Sequence, residues 1–433
     1  MTRASPAALI PAAVDSSLPL AEALFNNIAA ASADGPGVSR EPYGAGEQTA
    51  VDLLAAAARE LKLDIGTDPF GNLYMTLPGR DRMEPAWLVG SHVDSVPCGG
   101  NYDGLAGVIA GLTAVAALRR AGIAPPRDVT VMGIRAEELS SWYAGQHDGH
   151  IGSRAALGRL PVAELDTAIN SRTERSLREH MREAGFDPDG VRPDKPHLDR
   201  ARFHGYLELH IEQGPVLEDR AIPVGVVTAI RGAARARGCR CIGEYAHSGA
   251  VPHEYRADAV MATVELVHEL DRDWDRYRAA GRDLVFTVGK LFTDGKVHAL
   301  TKVPGEARFT IDFRSQDQSL LEDVSGQAQR LAQEIGARRK VRFELGEFSL
   351  HRPAVMDTRL RQRLIEGCST LRVPHIEIPS GAGHDAQDFA HAGYPAAMIF
   401  VRNARGSHNP DEAMDIADFA LGTKLLTWML VSE

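Results

Sequence analysis

The sequence predicts an α/β protein: a domain on a mixed, mostly parallel sheet, interrupted by an inserted α+β domain of ferredoxin-like pattern. Three observations carry this. Before residue 140, apolar strand-like runs alternate with helical ones, the strand–helix–strand order that implies parallel strands with crossover helices. Between about 230 and 350 the order changes to β-α-β-β-α-β, a split-βαβ series. After 350 the α/β rhythm resumes, so residues 1–229 and 351–433 are expected to form one domain and 230–350 an inserted lid.

Each element has its own signal. The opening MTRASPAALIPAAVDSSLPL has a short apolar part broken by prolines and no strong basic end; it is expected to be a loose N-terminal arm, not a signal peptide. EQTAVDLLAAAARELKL (47–63) reads as an amphipathic helix and NLYMTLPG as a strand closed by a Pro-Gly turn. AWLVGSH (86–92) is a short apolar run, as in a strand buried on both faces. LAGVIAGLTAVAALRRAG follows as a helix with a basic last turn and Gly122 beyond it, and DVTVMGIRAEE as a second buried strand. Residues 163–203 are charged and turn-rich, suited to surface helices and loops. GYLELHIEQGP returns to strand, with Tyr206, Glu208 and His210 on one side and Leu207, Leu209 and Ile211 on the other.

Within the insert, strands are expected at 236–245, 284–293, 305–314 and 340–348, and helices at 256–278 and 317–336. The first of these helices shows an apolar stripe at Val260, Val264, Val267, Leu270 and Trp274. The chain then closes with AAMIFVRN as a strand and a final helix.

Composition narrows the function classes. The 433 residues, 44% hydrophobic and 24% charged, suffice for two domains of ordinary size. The net charge of −10, with both signs interspersed, provides no basic face for nucleic acid. No unbroken apolar run approaches the roughly 18 residues of a membrane span, so no membrane partner and a cytoplasmic location are expected. Four cysteines (Cys98, Cys239, Cys241, Cys368) are too few and scattered for a disulfide framework. Cys239 and Cys241 are expected on opposite sides of a strand, and Cys98 as a small turn residue.

Five candidate metal ligands fall at the ends of predicted strands or in the loops after them: His92, Asp103, Glu138, His210 and His408. That is where open α/β sheets place their sites. Imidazoles mixed with carboxylates suit zinc, manganese, cobalt or nickel, whereas calcium calls for oxygen alone. Three histidines and two acids can hold two ions, roughly 3.5–4 Å apart, if one carboxylate bridges them. Asp103 is the natural bridge, because the small residues of GGNYDGLAG allow close approach and a helix starts behind it. Asp94, two residues past His92, is placed to orient that imidazole. Glu137, beside Glu138, is placed to act as general base on activated water.

Taken in order, these stretches resemble the M20-type dinuclear metallohydrolases. Within them the match is to the branch of N-carbamoyl-L-amino acid hydrolases, β-ureidopropionases of the yeast type and allantoate amidohydrolases. The resemblance rests on GSHVDSVPCGGNYDGLAGV, RAEE, GSRAALG, LHIEQGPVLE, AHSGAVPHEYRADA, TVGKL, VPGEARFTIDFRS, SGAGHDAQDFA and GSHNPDEAMD, which run from about residue 45 to the C-terminus. It implies a two-metal catalytic domain with a lid that also dimerises. His92 and His210 would be terminal ligands, Asp103 the bridge, and Glu138 and His408 the remainder, with His92 pairing either with Glu138 or with His210. It further implies Glu137 as general base and His247, on the lid, as the group that polarises the scissile carbonyl, reaching across a dimer interface. Arg314 would grip a substrate carboxylate, which suits its bidentate fork. Gln213 and His384 would contact substrate.

The implied reaction is hydrolysis of a non-peptide C–N bond in a small N-carbamoyl, ureido or N-acyl amino acid-like compound, with metal-bound hydroxide as nucleophile. An aminoacylase or dipeptidase, or a hydrolase of an aromatic or xenobiotic amide, is the alternative on the same scaffold. The chain departs from the branch where substrate would sit. EELSSW stands for EEGSRF, which puts Leu139, Ser141 and Trp142 in place of Gly, Arg and Phe. VHALTKVPG stands for PNAVNVVPG, with His298 and Thr301 replacing asparagines, and HSGAVPH stands for HAGTTPM. Swapped hydrogen-bonding groups discriminate strongly between substrates.

Overall fold

In the computed structural model, which describes residues 6–145, 147–193 and 195–432, the apolar runs become the middle of a parallel sheet. Val129–Ile134 and Ala396–Val401 are buried at every position, as strands covered on both faces must be. Across the sheet the order is Val224–Ile230, Ala396–Val401, Phe203–Ile211, Ala86–His92, Val129–Ile134, Leu73–Leu77 and Asp64–Thr67. The four from Ala396–Val401 to Val129–Ile134 are parallel neighbours; the strands outside them join antiparallel. The sheet is therefore mixed, with a parallel centre.

Helix Leu105–Arg120 is buried from Leu105 to Leu118, the mark of a helix enclosed by protein. Its close seat depends on Gly107, where a Cβ would stand 2.2 Å from the Leu209 carbonyl oxygen. The N-terminal arm differs from expectation. Residues Ala8–Ala31 are, by length and composition, apolar enough to cross a membrane. Here they form helices Pro6–Asp15 and Leu18–Ala31, with Ile10, Val14, Leu24, Phe25 and Ile28 buried in the main core. The signal missed was the spacing of these apolar residues across the prolines: Pro19 sits in the first turn of its helix, where no N–H is needed.

The chain divides into two compact units, Met1–Thr228 with Met356–Glu433, and Ala229–Val355. In the second, Gly232–Ile242 is central, antiparallel to Glu306–Ser315 on one side and to Arg342–Glu344 and Ser349–His351 on the other. Val285–Thr287 and Leu291–Phe292 lie on the far side of Glu306–Ser315. Helices Ala259–Ala279 and Gln318–Arg339 start at Asp258 and Asp317, whose carboxylates each accept two backbone N–H groups. This is the split-βαβ arrangement. Two details are corrected. On the first helix the buried stripe is Ala259, Ala262, Thr263, Leu266 and Leu270, while Val264 is exposed; small residues let the helix approach the sheet, so the bulky valines flank the contact. Cys239 and Cys241 are both buried, because residues two apart share one face of a strand.

Candidate metal centre

His92 closes strand Ala86–His92, and His210 lies near the end of Phe203–Ile211. Glu137 and Glu138 follow Val129–Ile134, and His408 follows Ala396–Val401. The C-terminal ends of four adjacent parallel strands thus converge. Asp103 joins them from the loop before helix Leu105–Arg120. There Gly104 has φ +65°, and a Cβ on it would stand 2.3 Å from His92 Cε1, so only glycine lets the helix begin against the imidazole.

Three groups of donors form among the described residues; Glu208, His210 and His384 make one, and Asp103 belongs to the other two. Of those two, His92, Asp103 and His210 make the first, and Asp103, Glu138 and His408 make the second; within each the ligand atoms lie within 4.8 Å of one another. Asp103 Oδ1 is 3.1 Å from His210 Nε2 and 3.6 Å from His92 Nε2. Its Oδ2 is 3.3 Å from His408 Nε2, which is 2.8 Å from Glu138 Oε1.

The first group shows what it is built to hold. His92 Nδ1 lies 3.1 Å from the Asp94 carbonyl oxygen, and His210 Nδ1 lies 2.8 Å from that of Ile211. A carbonyl only accepts, so each neutral ring carries its proton on Nδ1 and turns a lone pair on Nε2 toward Asp103. Asp103 Oδ1 is buried and accepts no hydrogen bond among the described residues. Three lone pairs meet at these distances, that of His210 Nε2 also 3.2 Å from the Gly104 N–H, and together they fit a cation. Burial alone would raise the Asp103 carboxyl, but when the rings of His210, His408 and His92 are protonated their N–H groups hold it well below the usual carboxylate range; a bound cation would replace those protons and keep the carboxylate anionic as a ligand must be.

Supporting contacts refine the expected roles. Asp94 orients His92 through its carbonyl, whereas its carboxylate accepts the N–H groups of Glu137 (3.1 Å) and Glu138 (2.9 Å). It pins the turn that presents both glutamates. Gln213 donates from Nε2 to Asp103 Oδ2 at 2.8 Å, and Ser407 Oγ donates to the same oxygen at 2.8 Å. Left-handed backbone occurs at Ala136, His150, Gln213 and His408, a concentration of strain typical of functional sites.

A cavity of about 180 Å³ opens over the group, lined by His92, Glu137, Glu138, His150, His210 and His384 among others. Burial pushes the Glu137 carboxyl above its ordinary range, against the opposing charge of His150 and His92. His384 starts helix Asp385–His391, is buried, and lies 2.9 Å from Ser380 Oγ; burial drives its pKa well below that of a free histidine.

Sequence reasoning missed His150, Asp388 and Glu412. Glu412 accepts the N–H groups of Tyr102 and Asp103, and no local pattern marks it. Leu139, expected near the pocket, is fully buried in a core cluster with Tyr43 and Trp142. The Trp142 indole N–H donates to the Ser95 carbonyl at 2.7 Å. Of residues 139–142 it is Ser140 that lines the cavity.

The other expected residues stand on the smaller unit. His247 is exposed, and its Nδ1 accepts the N–H groups of Gly249 and Ala250 at 3.2 Å each. The proton of the neutral ring is therefore on Nε2, a hydrogen-bond donor. Thr301 is beside it, its carbonyl accepting the Ser248 N–H at 3.0 Å. His298 pairs with Thr293 Oγ1 at 2.7 Å. Arg314 places Nε and Nη2 on Asp312 Oδ2, at 3.1 and 3.0 Å.

Strand-end histidines and carboxylates sharing one aspartate, on a sheet of this order, define a divalent-metal hydrolase. Residues 88–431 match Peptidase family M20/M25/M40, and the chain belongs to that family. It is 33% identical over 404 residues to an N-carbamoyl-L-amino acid amidohydrolase of Geobacillus stearothermophilus, covering 91% of this chain and 93% of that one. An allantoate amidohydrolase of Escherichia coli (strain K12) is 33% identical over 380 residues, 87% of each chain. The crystal structure of an amidase of the hydantoinase/carbamoylase family from Burkholderia multivorans matches with a TM-score of 0.83 at 27% identity, over 95% of this chain and 97% of that one. The resemblance read from the motifs is borne out.

Proposed function

We propose that the protein is a metal-dependent amidohydrolase acting on a small N-carbamoyl, ureido or N-acyl amino acid-like substrate that carries a carboxylate. The bond cleaved is a C–N bond other than a peptide bond. The observation that carries this is the convergence of the His92 and His210 lone pairs on Asp103 Oδ1, with Asp103 Oδ2 shared by a second donor group. The names of the similar proteins, an N-carbamoyl-L-amino acid amidohydrolase and an allantoate amidohydrolase, support this substrate class.

His92, His210 and Asp103 would hold one ion, and Asp103, Glu138 and His408 a second, chosen among zinc, manganese, cobalt and nickel. Such ions, when bound, supply Lewis-acid activation of water and of the substrate carbonyl. Glu137 takes a proton from the attacking water on a carboxylate oxygen and returns it to the leaving nitrogen. His247, protonated on Nε2, is assigned to donate to the developing oxyanion. Arg314 is assigned to the substrate carboxylate, and Gln213, His384, Thr301 and His298 to substrate contact. A homodimer through the smaller unit, which exposes Leu291, Phe292, Met261 and Val264, and a cytoplasmic location complete the proposal.

The test is a panel of N-carbamoyl, N-acetyl and dipeptide forms of one amino acid. It is run on chelated protein and again after reconstitution with each metal. Hydrolysis of the carbamoyl form, lost on chelation and restored by metal, is expected; activity untouched by thorough chelation overturns the proposal. Glu137→Gln is expected to lower kcat by about 10²–10⁴-fold while metal stays bound.

A further inference from the structure

His150 stands between two buried carboxylates. Its Nδ1 is 2.8 Å from Asp388 Oδ2, and its Nε2 is 3.3 Å from Glu137 Oε1. The backbone holds it there. The N–H groups of His150, Ile151 and Gly152 donate to the carbonyls of Glu137, Ala136 and Arg135, at 3.1, 3.0 and 3.0 Å. The start of helix Ile151–Ala156 is thereby laid against the turn that carries Glu137. The approach is close: a Cβ on Gly152 would stand 2.3 Å from the Arg135 carbonyl oxygen. His150 itself takes φ +48°, an unfavourable conformation for a residue with a Cβ. From the other wall of the cavity, a Cβ on Gly383 would lie 3.0 Å from His150 Nε2.

We propose that His150, oriented by Asp388, is a positioning residue for Glu137: it anchors one carboxylate oxygen and so reserves the other for the travelling proton. This rests on the reading of Glu137 as general base. A carboxylate at the end of a flexible side chain would otherwise have to be ordered during the reaction. Fixing it beforehand removes that cost from the chemical step. Losing the anchor therefore acts on kcat and leaves KM alone.

The experiment uses full-length, metal-loaded wild type, His150→Gln, Asp388→Asn and the double variant, with Glu137→Gln as control. The probe is whichever member of the panel above the wild type hydrolyses. His150→Gln is expected to lower kcat about 10- to 100-fold, the size of effect seen for outer partners that orient metal-ligating side chains, with KM and metal content unchanged. Asp388→Asn is expected to cost less, and the double variant no more than His150→Gln, since Asp388 acts only through the ring. A second readout needs no turnover. In metal-free, histidine-labelled protein, NMR is expected to show a downfield Nδ1–H resonance that is absent from His150→Gln and displaced in Asp388→Asn. If His150→Gln fails to fold, Asp388→Asn carries the same comparison of kcat with KM.

An undiminished kcat, a loss confined to KM, loss of metal, additive effects in the double variant, or no such resonance would each overturn the inference. If Glu137→Gln keeps its activity, the general-base reading fails and takes this one with it. If Glu137→Gln is inactive and His150→Gln is not, this inference fails alone.

Discussion

In the larger unit Arg135 and Glu47 are both buried and paired, and Asp103, His92 and His210 are buried side by side. In the smaller unit Arg272 meets Glu269 in solvent, and Arg240 meets Glu306 and Glu344 at the surface. The difference is one of stakes. A buried charge that loses its partner leaves the other desolvated and uncompensated, whereas an exposed pair exchanges one weak contact for water. The larger unit carries its candidate site on charges that depend on named neighbours; the smaller unit has an apolar interior with Leu266, Phe309 and Phe313 buried in it, and its buried Asp273 is paired with the exposed Arg276.

The comparison is most exposed at Asp103. Asp103→Ala removes the one group common to the two donor sets assigned to metal, so both metal and activity are expected to be lost, as read by metal analysis of the purified protein. Full metal occupancy in that variant would break the contrast. Next comes Arg135→Met, which leaves Glu47 buried without its cation; the expected loss is about 3–5 kcal/mol of stability, read by urea unfolding. Arg135 also donates to the Gly71 carbonyl at 2.9 Å and to Gln48 Oε1 at 2.6 Å, so a loss under 1 kcal/mol, roughly that of a surface pair, would show that its neighbours reorganise freely. The smallest effect is expected at Arg272→Ala, within about 0.5 kcal/mol of wild type. A larger loss there would mean that the smaller unit, too, relies on specific charge pairs.

The fold was legible where patterns are local. The six-residue buried strand Val129–Ile134 and the helix behind Asp103 were read from apolar runs and their flanking glycines. The N-terminal helices were not, because their prolines read as breakers, yet Pro6 and Pro19 stand in first turns, where no N–H is needed, and Pro11 is carried inside its helix. In the site, the five candidate ligands announced themselves as polar residues at strand ends. Leu139 misled, since a residue next to a candidate ligand, Glu138, can still point into the core. His150 gave no signal at all: its partner Asp388 lies 238 positions away.

The sequence by itself determined the alternation of strands and helices and the types and order of the candidate site residues, because periodicity and motif spacing act over a few residues at a time. Only the tertiary structure decided which atoms meet. It set the Nδ1 tautomer of His92 and His210 by placing a carbonyl against each ring. It brought His408 and Glu138 to Asp103, and it assigned the Asp94 carboxylate to two backbone amides rather than to the imidazole alone. Hydrogen bonds are short and directional, and their partners here come from strands and loops far apart in the chain. Folding fixes that geometry, and no local pattern encodes it.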